Sequence, residues 1–144
     1  MRKFVGNGLK RVVVMNFMRG EKLLDGIVRA CEEEGIKNGV LLGAIGSLQK
    51  VHLHRVMGFN PEPTDEFITM EGPFEISSAQ GIIADGQPHF HFVVSDLEKA
   101  YTGHLEPDTE VLYLVEATVA EFEELNLVRK KEENNIARLN KNKL

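Results

Sequence analysis

The sequence predicts an α+β fold: a mainly antiparallel sheet of about seven strands with one principal helix, in a single domain. Three observations lead there. Seven β-rich runs occupy residues 9–18, 39–45, 48–56, 67–70, 74–84, 88–95 and 111–119. One stretch alone, Leu23, Leu24, Ile27, Val28 and Cys31, repeats its apolar residues at helical spacing. Two glycine-containing breaks, Gly46-Ser47 and Asp85-Gly86, join neighbouring runs as hairpins. At 144 residues with 42% hydrophobic content, the chain is long enough to bury a core without staples.

Residues 9–18 form the first strand. Gly20 then opens the helix, where Glu21 and Asp25 suit the positive N-terminal end and Gly35 serves as the stop after the C-cap. Glu32, Glu33 and Glu34 oppose the dipole at the other end, so the helix depends on packing. Gly26, inside the helix, costs about 1 kcal/mol against alanine and marks a close approach to the sheet. Runs 39–45 and 48–56 meet at Gly46-Ser47, read as a type II′ turn. Residues 60–65 are a loop on their proline and turn chemistry, followed by a short strand at 67–70 and the break Glu71-Gly72-Pro73.

The pair 74–84 and 88–95 closes on Asp85-Gly86, a strong hairpin signal. A two-residue loop sets Phe90 opposite Gly81, Phe92 opposite Ala79 and Val94 opposite Ser77. On the other face, His91 lies opposite Gln80 and His89 opposite Ile82. Residues 96–102 turn the chain, and 111–119 form the last core strand. The domain ends near residue 127, and residues 128–144 are a polar, basic C-terminal tail, read as an exposed helix or a frayed end.

His89 and His91 alternate with Phe90 and Phe92, so on a strand both imidazoles leave one face. With His104 arriving from the next segment, three neutral imidazoles leave an open position on a zinc-type ion. The metal set is therefore His89, His91 and His104, with Zn2+ as the first choice and other transition metals chemically suited. Gln80 and Ser78 are candidates to support the ligands, and Glu106 shares a face with His104 if that strand continues. A second His-x-His, His52 and His54, is read as solvent-facing and is the main competitor. No catalytic residue is assigned.

Charge and composition limit the function. The net charge is −5, but residues 129–144 hold six basic against two acidic side chains, a net +4 that leaves −9 on the body. Such a body repels a phosphate backbone, so any DNA affinity belongs to the tail or to a local patch formed only in the fold. A single cysteine, Cys31, excludes an internal disulfide. No stretch has the length of a signal peptide's apolar segment or a bilayer span, so the expected location is cytoplasmic, with no membrane partner.

The succession Gly20-Glu21-x-Leu23-Leu24, Gly46-Ser47-Leu48, Gly72-Pro73-Phe74-Glu75-Ile76, His89-x-His91 and Gly103-His104-Leu105 resembles the plants-and-prokaryotes-conserved (PPC) domain over residues 9–122. It looks like the stand-alone prokaryotic type: the Arg-Gly-Arg core of the AT-hook is absent, the nearest string being Arg19-Gly20-Glu21. The resemblance implies an α+β fold, a homotrimer, zinc at His89, His91 and His104, and a family label of DNA binding. Apolar strand residues such as Leu42, Val51, Leu53, Val111, Tyr113 and Val115 exceed what one helix covers, so either the sheet closes into a barrel or its faces meet neighbouring copies.

Other chemistries lack their residues. Gly86-x-x-His89-x-His91 opens like a cupin motif, but the following glutamate and the second half are missing. Neither a Gly-x-Ser-x-Gly elbow nor a phosphate-cradling glycine loop is present. Two functions follow: a trimeric metal-binding module for binding or regulation, or a zinc-dependent hydrolase or lyase acting through metal-bound water.

Overall fold

A computed structural model describes residues 1–142. The chain runs β1 (Leu9–Met18), α1 (Leu23–Glu33), β2 (Gly39–Val56), β3 (Asp65–Ala84), β4 (Gln87–Ser95), β5 (Ala100–Leu105), β6 (Glu110–Phe122), β7 (Leu127–Lys131) and β8 (Ala137–Lys141). Six strands form one antiparallel sheet in the order β1-β6-β2-β3-β4-β5, and β7 and β8 form a separate hairpin. The predicted α+β fold, mainly antiparallel with one helix, is what the chain adopts.

β2 also pairs with β5, through Leu53 with Leu105 and His54 with His104. The far half of β2 therefore touches both β3 and β5, and the sheet closes on itself there. Inside this closure lie Val51, Leu53, Phe90, Phe92, Val94 and Leu105, each at most 2% exposed.

The helix forms on the expected apolar stripe and ends before Gly35, but it begins at Leu23 with Lys22 as its N-cap rather than at Gly20. Gly35, at φ +66°, donates to the Glu32 carbonyl while Ile36 donates to Cys31, the paired bonds of a Schellman ending. A Cβ on Gly26 would lie 2.3 Å from Phe17 of β1, so the close approach to the sheet is real.

Two expectations about the strands are corrected. No turn exists at Gly46-Ser47: β2 runs straight through, and Gly46, at φ +134°, is required because a side chain would meet the Leu114 carbonyl at 2.2 Å. The glycine serves a strand crossing, which in sequence looks like a hairpin. Likewise 67–70 and 74–84 are one strand, β3, whose pairing with β2 slips between Leu48 and Lys50. The β2–β3 hairpin instead turns through the proline-containing segment that includes Asn60 and Pro63.

The tail is also corrected. It is a β-hairpin, turned by Asn134 and Asn135 at φ 61° and 59°, a conformation that asparagine tolerates. Arg2 donates to Glu132 at 2.9 Å, and Asn142 donates to the Asn126 carbonyl at 2.8 Å. The second bond closes the hairpin's base, while Arg2 and the Leu127 N–H, which donates to Asn38 Oδ1 at 2.8 Å, tie the hairpin to the fold.

Some apolar surface remains outside. Val51, Leu53, Val111 and Val115 are buried within one copy, whereas Leu42 (53%), Ile45 (59%), Val14 (72%) and Tyr113 (69%) are exposed on β1, β2 and β6. No described helix is long and apolar enough to cross a membrane.

Candidate metal centre

The Asp85-Gly86 turn, with both residues at positive φ, fixes the β3–β4 register. Phe90 faces Gly81, Phe92 faces Ala79, His91 faces Gln80 and His89 faces Ile82, as the sequence predicts. The register slips between Ile76 and Ser78, so Val94 meets Ile76 rather than Ser77. Because Phe90 and Phe92 fill the closed core, His89 and His91 are driven to the outer face. Their Nε2 atoms lie 3.2 Å apart, with rings stacked at 5.2 Å.

β5 brings the third ring. His104 pairs with His91 across β4–β5 and with His54 across β2–β5. Gly103 permits that approach, since a side chain there would lie 2.6 Å from the His54 carbonyl oxygen. His89, His91 and His104 each offer a ring nitrogen within 4.8 Å of the others. Tetrahedral coordination with bonds of about 2.0–2.1 Å sets donor atoms about 3.3 Å apart, so the His89–His91 spacing fits a zinc-type ion.

The electrostatics favour neutral imidazoles. Burial, together with the charges of His54, His89, His91 and Arg129, lowers His104 to about 4. Burial first, then neighbouring charge, also lowers His89 and His91. Deprotonated rings near pH 7 are what a metal requires of its ligands.

One residue of the site went unread in the sequence. His54 is not solvent-facing: its ring stacks on His104 at 4.5 Å, and it borders the same cavity of ≈ 500 Å³ as His89, His91 and His104. Its Nδ1 hydrogen-bonds the Glu106 carboxylate, whose nearer oxygen is 4.0 Å from His104 Nε2. An ionised carboxylate only accepts, so His54 Nδ1 is the donor of this bond. Glu106 thus stands beside His104, held by its own N–H donating to the His52 carbonyl. His54, His104 and Glu106 form a second cluster of potential ligands that shares His104 with the first. His52 is set apart, its Nδ1 donating to the Pro107 carbonyl at 2.8 Å.

A closed antiparallel sheet bearing an outward three-histidine cluster defines the class. The chain belongs to the Plants and Prokaryotes Conserved (PCC) domain family, also abbreviated PPC, whose model matches residues 6–123. The β7–β8 hairpin lies beyond that stretch. The fold is similar to that of a Pyrococcus horikoshii plant- and prokaryote-conserved protein, at 26% identity, full coverage of both chains and TM-score 0.81. An Archaeoglobus fulgidus protein described as metal-containing is 23% identical, with 94% and 95% of the two chains covered and TM-score 0.79. A Bacteroides thetaiotaomicron protein with a provisional DNA-binding name is 19% identical, with 94% and 96% covered and TM-score 0.76. No curated protein matches the sequence.

Proposed function

We infer that this protein is a metal-binding module of the PPC type, with His89, His91 and His104 as the ligands of one Zn2+ ion, acting as a homotrimer in the cytoplasm. The observation that carries the reading is the 3.2 Å separation of the His89 and His91 Nε2 atoms beside a third, neutral imidazole. Three imidazoles suit zinc best, though nickel, iron and copper also accept them. The metal-containing Archaeoglobus relative supports the same direction. The exposed apolar residues Val14, Leu42, Ile45 and Tyr113 support assembly, because apolar strand surface of this kind is normally covered.

DNA recognition is not part of this reading. The −9 body opposes it, and in the basic tail Arg138 faces Glu132 while Arg129 turns inward to the Ile82 carbonyl.

The second reading is a metal-dependent hydrolase or lyase, favoured by one observation: the His54–Glu106 pair at the edge of the histidine cluster. A zinc ion held by the three histidines would supply Lewis acidity. His54, lining the same cavity and donating from Nδ1 to Glu106, is then the candidate to exchange a proton with a bound group. Metal content measured on protein purified without a histidine tag tests the first reading, which expects one zinc per chain. Activity screens with and without chelator separate the two.

A further inference from the structure

The basic tail has an unexpected destination. The β7–β8 hairpin sends Arg129 back onto the sheet, where its NH2 donates to the Ile82 carbonyl at 3.3 Å. Ile82 is the cross-strand neighbour of His89. At the turn of the same hairpin, Asn135 donates to Glu62 at 2.5 Å, in the β2–β3 loop whose Pro63 borders the histidine cavity. The hairpin therefore contacts the neighbours of two cavity residues, His89 and Pro63, without lining the cavity itself.

Arg129 has no counter-charge. Among the described residues no carboxylate meets it, and its Nε is buried without any hydrogen-bond partner. Arg2, Arg11, Arg55 and Arg138 all face glutamates. A partly buried guanidinium without an anion is costly in a fold, since desolvation is offset only when an opposite charge arrives. The two acids nearest the histidines do not supply that charge. Glu106 is held by His54, and Asp65 lies on the β3 side of the cavity mouth.

We propose that Arg129 is an anion-binding residue adjoining the histidine site, recruiting a small oxyanion, a carboxylate or a phosphate, next to the Ile82–His89 pair. The proposal rests on the metal reading for its full strength, because a cation at the histidines and a guanidinium behind them attract the same ligand. The planar guanidinium suits both oxyanions, pairing its N–H groups with two oxygens, whereas chloride offers no such match. The hairpin then serves to hold Arg129 against the sheet rather than as a free basic tail.

The test uses the full chain loaded with cobalt(II), titrated separately with acetate, inorganic phosphate and chloride, and followed by visible absorption. Arg129→Gln should weaken oxyanion binding by about tenfold or more at unchanged cobalt content and thermal midpoint, with Arg129→Lys intermediate. Lys130→Gln, exposed on the same strand, should change nothing. A preference for acetate or for phosphate assigns the source of the oxyanion. Equal oxyanion affinity in wild type and Arg129→Gln overturns the proposal. If cobalt does not bind, the metal reading fails, and the decision passes to phosphate and acetate titrations of the metal-free protein followed by amide chemical shifts. Arg129-dependent shifts around His89 then support the proposal, and their absence overturns it. Should Arg129→Gln misfold, Arg129→Lys against wild type gives the same comparison.

Discussion

His54 and His104 stack across the β2–β5 pairing with ring centroids 4.5 Å apart and planes inclined by 20°. That contact is where the sheet closes, so the geometry of the candidate metal site and the closure of the core are one feature. A change that opens the closure should disturb both.

Gly103→Val is the direct probe of that link. The added side chain meets the His54 carbonyl and the Leu53 side chain at under 3 Å, where backbone has to move. A loss of roughly 1–3 kcal/mol is expected by urea denaturation, together with reduced metal content. Gly58→Val, in open surroundings within the β2–β3 loop, should leave both unchanged.

Stability of the metal-free protein should fall on acidification. In the fold His104 takes up its proton only near pH 4, against the ordinary histidine value of 6.5. Between those values the unfolded chain binds a proton that the fold refuses, so stability falls as pH drops from about 6.5 toward 4 and is flat above. His89 and His91 act in the same direction. Denaturant titrations should find the metal-free protein about 2 kcal/mol less stable at pH 5 than at pH 7.5. Zinc should steepen this dependence, because protons compete for the same nitrogens. Equal stability at the two pH values would contradict the electrostatics described here.

How much of this was legible in the sequence depends on how local each signal is. The β3–β4 hairpin was readable because Asp85-Gly86 and the alternation of His89, Phe90, His91 and Phe92 lie within a few residues of one another. Even there, the slip between Ile76 and Ser78 left no mark. His54 was missed because its place depends on β2 pairing with β5, some fifty residues away in sequence. Gly46 was misread because a glycine needed for a close strand crossing has the same neighbours as one needed for a turn. The tail concealed its hairpin because Lys130 and Lys131 carry no apolar alternation, and the turn signal is the unusual Asn134-Asn135 pair.

Assembly should depend on the exposed face of β1 and β2. Light scattering on the native protein is expected to give a trimeric mass at micromolar concentration. Leu42→Asp should give monomers prone to aggregation, since Leu42, Ile45 and Val14 then lose their cover. A monomeric native protein would contradict the trimer.

Duplex DNA should bind weakly at physiological salt. Whatever affinity exists should fall further when Lys130, Lys131 and Lys141 are changed to glutamine, measured by fluorescence anisotropy across a salt series. Those three residues are exposed on the hairpin, and their replacement leaves Arg129 in place. Tight, sequence-specific binding by the triple variant would contradict the charge argument.

The central claim is that His89, His91 and His104 hold a metal ion and that the other His-x-His strand does not supply it. The most direct measurement is elemental analysis of untagged wild type, His91→Ala and His52→Ala, purified side by side. Wild type and His52→Ala should carry about one metal per chain, and His91→Ala well below that, because two imidazoles lose both the chelation and the geometry of three. Full metal in His91→Ala with loss in His52→Ala would contradict the account and move the site to the earlier pair.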